Sequence, residues 1–313
     1  MLGKTAGGIY WLFRYLERAE NIARLVETGH RFTLTRGAGS ASEWRSIVKA
    51  LGMDAAYVAR HGEYVSGNVV NFLLREKSND ASLRAIIDAG RQNARLTRTA
   101  ITREVWEAVN ESWINVNDAL KRPVREAELP NILEMIKRDS AMVRGAMHNT
   151  MLRNDVYNFA RIGNFIERAD NTARLLDVKY YVLLPSVSFV GSSLDNVQWE
   201  AILRSTSAYS VYRWLYPGRT NALGITEFLI RDHRFPRSLA FAYCKLRDNL
   251  RYLSDDYGQP SAALEATEKL YAQLQETTAA KIFEDGLHEF LVAFLSMNRN
   301  IGALVEQDYR FTA

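Results

Sequence analysis

The 313-residue sequence predicts an all-α protein: an internally duplicated helical bundle with two similar halves, 1–150 and 151–313, related by a pseudo-two-fold axis and forming one unit. Three observations predict it. Apolar residues recur with the 3.6-residue helical period along most of the chain. Only six prolines interrupt that pattern, and no Asn-Gly turn links alternating strand-like runs. Finally, Glu17-Arg18-Ala19-Glu20-Asn21-Ile22-Ala23-Arg24-Leu25 returns as Glu167-Arg168-Ala169-Asp170-Asn171-Thr172-Ala173-Arg174-Leu175. The offset, from 17 to 167, is 150 residues, and seven of the nine positions are identical.

In the first half, Thr5 caps a helix running to about Arg36, where Gly37-Ala38-Gly39-Ser40 breaks it. Ser42 opens a second helix, from Trp44 to about His61, and Ser66 or Asn68 a short third, ending near Lys77. Ser78-Asn79-Asp80 forms a turn and cap before a long segment to about Ala119, kinked near Thr102 and stopped by Arg122-Pro123. Pro130 suits the first turn of a helix reaching His148.

The second half repeats this order. Asp155 caps a helix to Leu183, stopped before Pro185, and Asp195 caps the next, to about Leu215. Trp44, Ile47 and Tyr57 match Trp199, Ile202 and Tyr212, and Ala81-Ser82-Leu83 matches Arg237-Ser238-Leu239. The offset drifts from 150 to 156, as loop insertions require. Helices from about Ser261 to Thr278 and from about Phe283 to Tyr309 mirror Glu104 to Ala119 and Pro130 to His148.

On a helix, Glu17, Glu20, Asn21 and Arg24 form one polar stripe, opposite the apolar Leu16, Ala19, Ile22, Ala23 and Val26. Glu167, Asp170, Asn171 and Arg174 repeat it. A merely solvated face needs polarity and no particular residue, so recurrence of the same types points to specific partners. With the two helices antiparallel, Glu17 is expected to face Arg174, Arg24 to face Glu167, and Asn21 to lie beside Asn171. Such charge-assisted bonds fix register more than they stabilise.

Composition narrows the function. With 47% hydrophobic and 24% charged residues the chain can bury a substantial core. A net charge of +4, with both signs interspersed, does not favour nucleic-acid binding. The single cysteine, Cys244, lies in an apolar run, is read as a buried small hydrophobe, and fits a reducing cytoplasm. The N-terminus lacks the apolar core of a signal peptide. The apolar stretch from Tyr180 to Val190 is too short to span a membrane.

The opening Thr5-Ala6-Gly7-Gly8-Ile9-Tyr10-Trp11-Leu12-Phe13-Arg14-Tyr15-Leu16-Glu17-Arg18-Ala19-Glu20-Asn21 resembles that of the bacterial alpha-E family, named for its helical content and Glu-Arg motif. Phe165 to Tyr180, the Trp199 segment and Phe235-Pro236-Arg237-Ser238 extend the resemblance over nearly the whole chain. The sequence departs from the family in having Gly7-Gly8 where a Glu-Asn pair is common. The resemblance implies the company of a circularly permuted ATP-grasp protein and a transglutaminase-like protein. That company implies making or trimming of an amide or isopeptide bond, with this chain as helper, substrate carrier or enzyme.

The first expectation is therefore a non-catalytic partner or substrate-binding helper of an ATP-grasp amidoligase. The alternatives are an enzyme acting on a peptide or amino-acid amide between the two Glu-Arg helices, and a purely structural homo-oligomeric scaffold. The candidate ligand-binding or inter-repeat residues are Glu17, Arg18, Glu20, Asn21, Arg24, Glu167, Arg168, Asp170, Asn171 and Arg174. Carboxylates mixed with arginines suit a zwitterion, such as an amino-acid or peptide terminus, better than Mg²⁺. Arg237 and Ser238, after Pro236, make a candidate anion site at a helix start, though Ser238 also suits a plain cap. Glu27-Thr28-Gly29-His30 has a metal-like Glu-x-x-His spacing, but its repeat carries Asp177 and Tyr180, so neither metal nor cofactor is expected. Tyr212 is read as core, and Trp214 and Tyr216 are left open as a docking patch.

Overall fold

The computed structural model describes residues 1–36, 41–181, 192–218 and 220–311. The described residues are all-helical, with no strand among them. The expected break at 37–40, and the expected helix end at Leu183 before Pro185, lie outside them.

The order is α1 (Gly3–Arg36), α2 (Ala41–Ala50), α3 (Asp54–Val58), α4 (Ser66–Leu74), α5 (Leu83–Leu96), α6 (Arg103–Ala119) and α7 (Leu129–Thr150). Then follow α8 (Asp155–Tyr181), α9 (Ser193–Ser205), α10 (Tyr209–Leu215), α11 (Ala222–Arg231), α12 (Leu239–Tyr257), α13 (Ala262–Glu276), α14 (Ala279–Asp285) and α15 (Leu287–Asp308).

Several expected helices are divided. The segment expected to run with a kink to Ala119 stops at Leu96 and restarts at Arg103, because Thr102 accepts from the Val105 N–H as an N-cap. Gly52, at φ 71°, separates α2 from α3, and Ser207, at φ 59°, separates α9 from α10. Both stand in the left-handed region, which terminates a helix. Ser192, rather than Asp195, caps α9, and Ser82 caps α5.

α1 and α8 pack on each other at the centre. From Tyr157 to Val178 every residue of α8 is buried except Arg161, Asp170 and Arg174, which are half-buried, so the helix is enclosed on nearly all sides. Their approach is close because Gly163 has no side chain: a Cβ there would lie 2.3 Å from the Tyr10 carbonyl oxygen. α5 covers α1 and α12 covers α8, while α2 reaches across to α8 and α9 reaches across to α1. One hydrophobic core runs through both halves, from Tyr10, Phe13 and Trp44 to Tyr212, Tyr243 and Phe294. Because the core encloses α1 and α8 on their polar sides too, the two stripes are carried into the interior.

Candidate functional site

The two Glu-Arg segments meet inside the protein, and each glutamate takes the arginine of the other. Arg168 donates to both oxygens of Glu17, at 2.9 and 3.0 Å. Arg18 donates to both oxygens of Glu167, at 2.5 and 2.8 Å. Asn164 adds a bond to Glu17 (2.5 Å), and Arg14 adds one to Glu167 (3.1 Å).

The expected pairs Glu17–Arg174 and Glu167–Arg24 do not form. Arg24 turns back to Glu20 on its own helix (2.9 and 2.7 Å), and Arg174 to Asp170 (2.5 and 3.2 Å), because residues four apart on a helix are neighbours. Each then reaches across the interface to a carbonyl: Arg24 to Ser205 O (2.6 Å) and Arg174 to Ala50 O (2.7 Å). Nor does Asn21 pair with Asn171; its Nδ2 donates to the Glu167 carbonyl at 3.1 Å.

Two further arginines close on Glu17 and Glu20. Arg144, from α7, reaches Glu17 at 3.3 Å and also bonds Glu20. Arg237, ahead of α12, does the same from the other side, 3.3 Å from Glu17 and bonded to Glu20. Burial pushes the Glu17 carboxyl up, but Arg168, Arg144 and Arg237 outweigh it and hold the group below the usual range. Glu20 is lowered likewise, by Arg237 and Arg144 against burial, and Glu167 by Arg18 and Arg14. Burial pulls the Arg237 guanidinium down despite Glu20. All three glutamates are therefore held as carboxylates, acceptors with no proton to give.

Arg237 and Ser238 are thus engaged within the protein. Arg237 holds Glu17 and Glu20, while Ser238 caps α12, accepting from the Phe241 N–H at 3.0 Å, and donates to the Asp232 carbonyl. Glu27 binds Arg31 (2.7 Å) and Lys137 (2.9 Å), apart from His30. Asp177 accepts from His288 (2.6 Å), whose ring stacks on Tyr180 with centroids 3.7 Å apart. Cys244 is half-buried, with its thiol facing Asp248, rather than enclosed in the core. Tyr212 is fully buried, whereas Trp214 is 79% exposed.

A cavity of about 530 Å³ opens on the Glu167 side, lined by Arg18, Glu167, Asp170, Asn171, Arg174 and Trp11 among others. Asn171 is 1% exposed, yet among the described residues neither atom of its side-chain amide has a hydrogen-bond partner, and Asn21 Oδ1 also has none. A buried amide left unpaired costs about 1–3 kcal/mol. Asn171 stands among the residues that line the cavity.

Sequence reasoning missed Arg14, Asn164 and Arg144. The first two were within its reach, since each lies three residues before its glutamate on the same stripe. Arg144 carries no such signal; it reaches the site only through the packing of α7 on α1.

Residues 1–309 match a family described as a predicted alpha-helical domain with a conserved ER motif. Among curated proteins, the chain is 22% identical to an uncharacterized protein of Mycobacterium bovis and to uncharacterized proteins of two Mycobacterium tuberculosis strains. Each match covers 94% of this chain but 35% of the relative, so the chain spans about a third of their length. No solved structure matches the chain. Among the described residues, no helix is long and apolar enough to cross a membrane.

Proposed function

The chain belongs to the Alpha-E family, and from that membership and the paired polar stripes we propose that it is a non-catalytic, substrate-binding partner of an ATP-grasp amidoligase. In this reading it acts in the cytoplasm, holds an amino acid or peptide in the cavity between α1 and α8, and presents it for amide or isopeptide bond formation. A transglutaminase-like protein is a second partner. The carrying observation is the buried, unpartnered Asn171 on the wall of a cavity lined by Glu167 and Arg174. A site that binds without reacting is supported by the state of Glu167, whose two oxygens accept three bonds from arginines. The greater length of the curated relatives fits a unit that works beside further polypeptide.

We also infer that 1–150 and 151–313 are two copies of one ancestral repeat related by a pseudo-two-fold axis. The support is reciprocity: Glu17–Arg168 answers Glu167–Arg18, and the Arg24 bond to Ser205 answers the Arg174 bond to Ala50.

A second reading, an enzyme acting on a peptide or amino-acid amide, is favoured by the same cavity lying against Glu167. A purely structural scaffold fits less well, since it has no use for an unpaired amide beside an open cavity. The deciding experiment is copurification with the ATP-grasp neighbour, followed by a product assay with and without this chain. The helper reading expects product to require both proteins and Asn171→Ala to raise KM while sparing kcat. Product from this chain alone, or its abolition by Glu167→Gln in a folded, intact complex, would replace the helper with the enzyme.

A further inference from the structure

We propose that the cavity receives a guanidinium or primary ammonium group, the basic end of an arginine-type or lysine-type amino acid or peptide. This rests on the binding role above and specifies the chemistry of the ligand. The two acidic pairs, Glu17 with Glu20 and Glu167 with Asp170, differ in their surroundings.

Around Glu17 and Glu20 the space is filled. Arg24 donates to Ser205 O and to Ser207 Oγ (3.1 Å), while Arg144 and Arg237 insert their guanidinium groups against the carboxylates. Around Glu167 and Asp170 the chain passes through matching stations with smaller residues. Arg174 donates to Ala50 O, and two residues further on stands Gly52, in the same left-handed turn that Ser207 occupies two residues after Ser205. Ser82 caps α5 as Ser238 caps α12, and the residue before the cap is Ala81 in one and Arg237 in the other. α7 and α15 are both 22 residues long and bury Leu133, Ile136, Val143 and Met147 in the register of Leu291, Phe294, Ile301 and Val305. That register sets Gly302 at the station of Arg144.

Gly52, Ala81 and Gly302 all line the cavity. The open space therefore corresponds to the places that Ser207, Arg237 and Arg144 fill beside the other acidic pair. Arg14 reoccupies part of it, passing within 3.5 Å of where a Cβ on Gly302 would lie and bonding Glu167. Among the described residues, no ion pair with Asp170 takes the place of the one that Arg237 makes with Glu20. Glu20 consequently holds three arginines, whereas Asp170 is ion-paired, among the described residues, with Arg174 alone. Glu306, half-buried on the same wall, has no ion pair among the described residues.

The sign of the ligand's charge follows from what is left over. The guanidinium groups of Arg14, Arg18 and Arg174 are engaged by Glu167 and Asp170, and Arg299, exposed on the same lining without an ion pair among the described residues, is left for a carboxylate of the same ligand, so the unused acceptor capacity lies on the Asp170 and Glu306 carboxylates. A planar guanidinium can fork onto one carboxylate, as Arg168 does on Glu17, or bridge two, as Arg237 bridges Glu17 and Glu20. Asn171 then offers its amide to the backbone or α-carboxyl group of the same ligand.

The test is calorimetric titration of the full chain with L-arginine, agmatine, the peptide Gly-Arg-Gly, L-citrulline and L-glutamate. Arginine, agmatine or the peptide is expected to bind, with citrulline, its neutral analogue, weaker by about tenfold or more. Ala81→Arg, which restores the side chain of the filled site, is expected to abolish that binding. Asp170→Asn is expected to weaken it by about tenfold. Citrulline or glutamate binding as tightly as arginine overturns the basic-ligand inference and leaves the helper reading standing. So does arginine binding that Ala81→Arg leaves unchanged. Absence of binding by all three basic probes overturns it as well. Arginine binding with no dependence of amidoligase product on this chain would instead remove the helper reading alone.

Discussion

Glu17 and Arg168 are 151 residues apart in sequence, yet join through two hydrogen bonds of 2.9 and 3.0 Å in the fully enclosed centre of the protein. Arg144 and Arg237 share the same carboxylate, so its removal strands more than one positive charge. Glu17→Gln is expected to cost about 3–5 kcal/mol, the range for breaking a buried pair from one side. Urea unfolding of the two proteins measures it, and a loss under about 1 kcal/mol would mean that water reaches the network.

The α1 to α8 contact depends on a missing methyl group. Gly163→Ala places a Cβ 2.3 Å from the Tyr10 carbonyl, and neither backbone can yield without separating the central helices. A destabilisation of about 1–3 kcal/mol or more is expected. Gly145→Ala, inside α7 with nothing within 4 Å, is expected to stabilise by about 0.5–1 kcal/mol through helix propensity. Thermal unfolding of the pair checks the contrast, and equal effects would contradict the close approach.

Stability should fall with acid in two stages. Burial, then Arg161 and Arg153, pull the His148 imidazolium from its ordinary 6.5 down to about 4. Between those values the unfolded chain binds a proton that the folded one refuses, so stability is full above about 6.5 and declines toward pH 4. Glu17, Glu20 and Glu167, lowered from 4.5, keep their contribution above that value and lose it progressively below. Tm measured from pH 7 to pH 3 should show both stages, and His148→Gln should erase the first while sparing the second.

Ser238 joins two backbone segments, capping α12 at the Phe241 N–H and donating to the Asp232 carbonyl. Ser238→Ala is expected to cost about 0.5–2 kcal/mol. It should also loosen the turn that presents Arg237. Hydrogen exchange at Phe241 and at the first turn of α12 would register both, and unchanged protection there would deny the cap its role.

Much of this was legible before any coordinates. Helical periodicity and scarce prolines determine the all-helical class, and the repeated Glu-Arg segment singles out ten candidate residues, eight on the two stripes together with Arg18 and Arg168, on the packed helices α1 and α8. Spacing along a helix establishes which side chains share a face, and that reasoning extends to Arg14 and Asn164. It does not specify which opposing group each one touches. Glu17 takes Arg168 rather than Arg174 because Arg174 has a nearer carboxylate four residues back on its own helix. The insertion of Arg144 and Arg237 beside one acidic pair, and the space left by Gly52, Ala81 and Gly302 beside the other, were decided only by tertiary packing. Those residues are distant in sequence, and an ångström-scale approach of helix to helix settles whether a guanidinium group or a void stands next to a carboxylate.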